Sequence, residues 1–124
     1  MTTTINDLGE IELLNRLKKF MRQGQIDDDV AEINTLNKVL LINNDLLVEN
    51  IHFSDEISNA RDIGWKSITT NISDLICSGS QNIISFTVGL VLPQNTKWRW
   101  VENLYEGMKE AMQEFGGELI GGDC

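Results

Sequence analysis

Leu8, Ile11, Leu14, Leu17 and Met21 recur every three or four positions in "NDLGEIELLNRLKKFMR", and this period predicts a helix over residues 6–22. Gly24 can end it. The period then shortens. Residues 30–34 and 38–43 ("KVLLIN") read as short strands around a "TLN" turn, the second more strand-like than the first. "DLLVENIHF" (45–53) continues as irregular or extended chain. Helical spacing returns over about 56–78, with Asp55 as candidate cap, Ile57, Ala60, Ile63, Ile68, Ile72, Leu75 and Ile76 as the apolar stripe, and Gly79 as the stop.

The β-rich run "IISFTVGLVLP" (83–93) closes on Pro93. A third helix is predicted over about 95–115, with Trp98, Val101, Leu104, Tyr105, Met108, Met112 and Phe115 on one face. Gly116-Gly117 end it, and "ELIGGDC" opens a last short strand. The order is helix, two strands, helix, strand, helix, strand. That order predicts an α/β or α+β domain with helices packed on one sheet. An apolar strand start that reaches "GGDC" at residue 124 predicts the front part of a longer protein.

Composition changes this picture little. With 124 residues, 41% of them hydrophobic and 23% charged, the chain has the make-up of one soluble domain able to bury a core. No apolar run approaches the length of a membrane span, and "MTTTINDLGEIELL" lacks the basic-then-apolar order of a signal peptide, so the expectation is a cytoplasmic protein. Cys77 and Cys124 do not form a CxxC pair; Cys77, in an apolar helical context, is expected to be a buried thiol, and the role of Cys124 is open.

The net charge of −9 does change it, because a nucleic-acid partner would need a basic stripe. The acidity either keeps the protein soluble or serves divalent cations that carry polyanionic substrates.

Four acidic constellations could hold such cations. Asp27, Asp28 and Asp29 stand side by side in "QIDDDVAEIN". Two unit charges about 5 Å apart repel by about 3 kcal/mol at an effective dielectric near 20, so the triplet is either a solvated turn or a cation site. "NND" (43–45) puts Asp45 just past the most strand-like run, where open sheets hold ligands, although such a triplet also makes an ordinary turn. In "NISD", Asn71 and Asp74 are three apart and share a helix face, and a mid-helix Asp among Ile72, Leu75 and Ile76 is unfavourable without a partner or water. "GGD" (121–123) places a carboxylate after two glycines that permit close backbone approach, or simply turns.

His52, the only histidine, sits beside Phe53 and reads as a packed or hydrogen-bonded residue before it reads as a catalyst. One His and no Cys cluster do not make a zinc site, whereas oxygen ligands from several acidic loops suit Mg²⁺. No GxxxxGK[ST] is present.

The order and spacing of "IDDDVAEI", "INNDLLVENIHF", "IGWKSITTNISDLICSGS", "ISFTVGLVLP" and "ELIGGDC" resemble the N-terminal domain of the thiamine-monophosphate kinase family. That family belongs to the superfamily of aminoimidazole ribonucleotide synthetase and selenophosphate synthetase. The resemblance runs from about Gly9 to Cys124 and is most specific in the "NISD" helix with its downstream "GGD". It implies a mixed sheet with helices on one face, paired with a second subunit in a homodimer. It also implies ATP-dependent phosphorylation of thiamine monophosphate to thiamine diphosphate with Mg²⁺, a reaction that needs positioning and charge neutralisation more than a covalent protein group.

Residue by residue, the resemblance implies Asp28, Asp29, Asp45, Asp74 and Asp123 as metal ligands, with Asn44, Gly121, Gly122 and Asp123 towards ATP. It implies His52 and Phe53 on the thiamine phosphate side and Asn71 as support for its helix face, and no residue as a covalent catalyst. Asp27 replaces a family glycine, Asn44 a threonine, Asn50 a glycine, Ser78 a methionine and Cys124 a threonine, and several of these touch the metal shell. The family's C-terminal domain is expected to be missing from this chain, leaving it able to fold and pair but with little or no kinase activity alone. Two alternatives stay open: another ATP-dependent member of the superfamily, or a non-catalytic dimerisation or metal-binding module.

Overall fold

Two glycines in mid-helix positions decide how the helices of this protein meet. In the computed structural model, which describes residues 3–24, 29–49, 51–52 and 58–124, the chain divides into two units, Met1–Asn43 and Asn44–Cys124.

The first unit opens with helix α1 (Ile5–Leu17), which continues as a 3₁₀ turn, Lys18–Phe20. Its start is a reciprocal cap. The Thr4 hydroxyl accepts from the Asp7 N–H at 3.3 Å, and the Asp7 carboxylate accepts from the Thr4 N–H at 2.9 Å and the Thr4 hydroxyl at 2.7 Å. Those bonds to Thr4, side chain first and backbone second, hold the Asp7 carboxyl below its ordinary value. Gly9, at φ 68°, interrupts the helical dihedrals and kinks α1. Of the predicted apolar row, Leu8, Ile11, Leu14 and Leu17 lie on α1, and Met21 lies past the 3₁₀ turn; α1 has no buried residue and Ile11 is 78% exposed.

Strands β1 (Ala31–Asn34) and β2 (Val39–Ile42) pair antiparallel, from Ala31 opposite Ile42 to Asn34 opposite Val39. The turn between them closes on Thr35, whose N–H and hydroxyl donate to the Lys38 carbonyl at 2.8 and 2.7 Å. Both strands fall within a residue of the expected bounds.

In the second unit, α2 (Ala60–Cys77) is capped by Asn59, whose side-chain oxygen accepts from the Asp62 N–H at 2.9 Å. The expected cap, Asp55, and the stripe residue Ile57 lie outside the described residues. Helix α3 (Trp98–Phe115) joins β3 (Ser85–Gly89) to β4 (Glu118–Asp123), which run parallel, so β3, α3 and β4 form a βαβ crossover. Gly116 and Gly117, at φ 99° and 87°, end α3 in a left-handed conformation that side chains rarely adopt.

The core lies between the two helices: Ala60, Ile63, Ile68 and Ile72 against Leu104, Met108 and Ala111, with Phe86, Val88 and Leu90 packed from the β3 side. A Cβ on Gly64 would run into the Leu104 carbonyl, and one on Gly107 into the Arg61 carbonyl. Each helix therefore gives up a side chain to let the other's backbone in. Trp65 and Phe115 pack edge to face at 5.7 Å between ring centroids. On the rim, the Arg61 guanidinium grips Glu110 with two hydrogen bonds, raising the pKa of the arginine and lowering that of the glutamate.

The protein is thus α/β, with three α-helices and small sheets among the described residues. The antiparallel and parallel pairings of a mixed sheet are both present, but as two separate two-stranded sheets. Four expectations about burial fail in the second unit: Cys77 is exposed, Ile76 is 57% exposed, Trp98 is 72% exposed and Phe115 is 48% exposed. The fully buried rows stop at Ile72 on α2 and run from Leu104 to Ala111 on α3, so the helix ends are less covered, with Trp100 still packed against the core. No helix of the described residues is long and apolar enough to cross a membrane.

Gly64→Ala and Gly107→Ala should each lower stability by about 3 kcal/mol, because overpacking against backbone outweighs the gain of about 1 kcal/mol in helix propensity. Chemical unfolding checks this. Glu110→Gln should lower the melting temperature at neutral pH. Because the folded carboxyl of Glu110 titrates below its unfolded value, its contribution is present above the ordinary carboxylate range and is lost as pH falls through it. The gap between Glu110→Gln and the unaltered protein should therefore close in acid.

Candidate functional site

The parallel pair β3–β4 ends where the candidate residues begin. Phe86 lies opposite Leu119, but Thr87 lies opposite Gly121, so Ile120 is an extra residue that bulges β4. Past the bulge, Gly122 faces Val88 and Asp123 faces Gly89. The Asp123 carbonyl accepts from the Leu90 N–H at 2.8 Å, and its carboxylate accepts from the Cys124 N–H at 2.9 Å. Asp123 thus stands exposed at the C-terminal edge of a parallel strand pair, the edge at which open α/β sheets take ligands.

The two glycines before it differ. A Cβ on Gly122 would strike the Val88 carbonyl, so this glycine is required by the neighbouring strand. Around a Cβ on Gly121 there is open space, which leaves that backbone approachable from outside.

Asp74 lies one turn from the C-terminus of α2 and is half-buried, and its carbonyl accepts from the Ser78 N–H at 3.0 Å. Asn71, three residues earlier, donates its side-chain amide to the Ser67 carbonyl at 2.8 Å, so the support it gives is to its own helix. Asn44 and Asp45 are exposed at the start of the second unit, and Asp29 is exposed in the first. Asp27, Asp28, Asn50 and Phe53 lie outside the described residues.

His52 is built into a turn. Its Nδ1 accepts from the Val48 N–H at 2.9 Å while its own N–H donates to the Val48 carbonyl at 2.8 Å. That bond leaves Nε2 as the ring nitrogen the turn does not engage. The Lys66 ammonium, on α2, donates to the His52 carbonyl at 2.7 Å. Lys66 is the residue that sequence reasoning missed. Its target is a backbone oxygen 14 positions earlier, and no side-chain pattern signals that.

Among the described residues, no three His, Cys, Asp or Glu side chains gather as a metal cluster. The hollow at the β1–β2 turn, lined by residues 34–38, holds none of the candidates. The donor set is nevertheless one that suits Mg²⁺: hard carboxylate oxygens on separate elements, each able to supply one ligand while substrate phosphates supply others.

The fold and these positions define an α/β domain with acidic strand-end and helix carboxylates and no P-loop. The chain belongs to the family described as AIR synthase related protein, N-terminal domain, which it matches over residues 27–124. It is 54% identical to the thiamine-monophosphate kinase of Prochlorococcus marinus over 120 residues, which are 97% of this chain and 36% of that protein. It is 34% identical to the thiamine-monophosphate kinase of Aquifex aeolicus, over 96% of this chain and 38% of that protein. The chain therefore spans a little over a third of the length of these relatives. Among solved structures it is similar to AaThiL complexed with AMPPCP and TMP, with a TM-score of 0.89 and 31% identity over 99% of this chain and 39% of that one. A second structure of thiamine monophosphate kinase from Aquifex aeolicus superimposes with a TM-score of 0.80 at 30% identity, over 97% of this chain and 38% of that one.

Gly122→Ala should destabilise the protein by about 1–3 kcal/mol through overpacking against β3. Gly121→Ala should stay within about 0.5 kcal/mol, as a substitution into open space does. Parallel denaturant titrations of the two variants measure the contrast.

Proposed function

We propose that this chain is the N-terminal part of a cytoplasmic, ATP-dependent kinase that converts thiamine monophosphate to thiamine diphosphate. The observation that carries the reading is the likeness of 99% of the chain, at a TM-score of 0.89, to a structure complexed with AMPPCP and TMP. The 54% identity to a thiamine-monophosphate kinase supports it. AMPPCP is an ATP analogue whose bridging carbon blocks transfer, so that pairing is the one expected of a kinase and its two substrates.

On this reading the residues divide by substrate. Asp28, Asp29, Asp45, Asp74 and Asp123 would hold Mg²⁺, which when bound supplies neutralising charge for the nucleotide phosphates. Asn44 offers an amide oxygen next to Asp45. The open backbone at Gly121 lets phosphate oxygens come close, and Gly122 holds that backbone on β3. His52 and Phe53 would serve the side of the phosphorylated thiamine. None of these groups attacks phosphorus. The acceptor is the terminal phosphate of thiamine monophosphate itself, so the protein's part is to align two anions that repel each other.

Assembly follows the same reading. The chain pairs with a second copy through its sheet as a homodimer, and the remainder of the site comes from sequence of the kind that fills the rest of the relatives' length. The isolated chain then folds and pairs but has little or no kinase activity by itself.

Two measurements test this. In the protein carrying this sequence, ATP, Mg²⁺ and thiamine monophosphate should yield thiamine diphosphate, and Asp28→Asn and Asp74→Asn should each lower kcat/KM by about a hundredfold or more, a loss of about 2.7 kcal/mol in transition-state stabilisation. Calorimetric titration of Mg²⁺ with ATP should show weakened metal-dependent binding in both variants. Binding that neither substitution weakens overturns the assigned metal site.

A further inference from the structure

We propose that Lys66 is a positioning residue that sets where His52 meets the phosphorylated substrate. The proposal rests on the substrate-side reading of His52 and extends it to a residue on a different element.

The His52 turn is closed locally by the ring Nδ1 and two backbone bonds, all of them to Val48. Those bonds fix the ring relative to its own turn. They leave the turn free to move as a body. The Lys66 ammonium, 2.7 Å from the His52 carbonyl, ties that body to α2. A cation donating to a carbonyl makes one of the stronger single bonds open to an exposed loop.

α2 is also the helix that carries Asp74, and it is locked to α3 by the Gly64 and Gly107 contacts. Lys66, Thr70 and Asp74 follow at steps of four along it, so they share one side of the helix. Eight residues of helix span about 12 Å. Lys66 therefore makes α2 a ruler between the group proposed to meet thiamine phosphate and a carboxylate proposed to serve the nucleotide's metal. The reaction depends on that separation, because acceptor and γ-phosphate must come within reach of each other.

Lys66→Met keeps the aliphatic stem and removes the donor, and Lys66→Arg restores one. In the protein carrying this sequence, Lys66→Met should raise KM for thiamine monophosphate about tenfold, leave KM for ATP within about twofold, and recover most of the loss in Lys66→Arg. Thermal unfolding of each variant separates this from loss of fold. An unchanged KM for thiamine monophosphate overturns the proposal, and so does a rise of both KM values together. If the unaltered protein makes no thiamine diphosphate, the reading of function fails, and the clamp is judged by the ¹³C signal of the His52 carbonyl, the atom that Lys66 bonds. A shift of that signal in Lys66→Met that Lys66→Arg reverses supports the clamp, and an unchanged signal overturns it.

Discussion

The second unit depends on two helix backbones coming into direct contact. Gly64 accepts the Leu104 carbonyl where a side chain would stand, and Gly107 does the same for Arg61. Glycine in a helix interior is unfavourable by up to about 1 kcal/mol relative to alanine. Close packing of Ile63, Ile68, Ile72, Leu104, Met108 and Ala111 around the notch offsets that. Because α3 also links β3 to β4, the notch fixes the strand end that carries Asp123 as well as the helix that carries Lys66, Asn71 and Asp74. A group held on such a frame keeps its position when a charged ligand arrives.

Within the second unit the candidate carboxylates stand on separate elements: Asp45 on the chain before α2, Asp74 on α2 and Asp123 at the end of β4. Three carboxylates packed together without a cation would repel by several kcal/mol at short range. Single carboxylates at a strand end, a loop and a helix avoid that repulsion in the absence of ligand. His52 and Asn71 are held by bonds to main-chain groups of their own segments.

Periodicity makes the elements legible. The strand bounds around "TLN" and both long helices can be read from it, because the apolar spacing and the stop glycines agree there. Asp74 is legible as a candidate because an aspartate in mid-helix among isoleucines needs a reason. Packing depth is a different matter. The stripe rule counts Ile76 and Trp98 as buried, but it does not know where along each helix the partner begins and ends. It also passes over Gly64 and Gly107, whose value lies in atoms they lack. Lys66 is invisible for a third reason, since its partner is a main-chain oxygen that every residue carries. For Asp28 and Phe53 the sequence and its family likeness are what speak, as both lie outside the described residues.

The bulge at Ile120 has a consequence for parity. Along a strand, side chains alternate faces, so one inserted residue reverses the face of everything after it. In unbroken register, Asp123 would share a face with Val88 and Leu90, which pack towards the helices. With the extra residue it shares a face with Thr87 and Gly89, both exposed. Whether the last carboxylate of this chain meets solvent or the apolar core is therefore a matter of odd or even. A single deletion before Gly121 would reverse it without changing any of the residues that make up the motif.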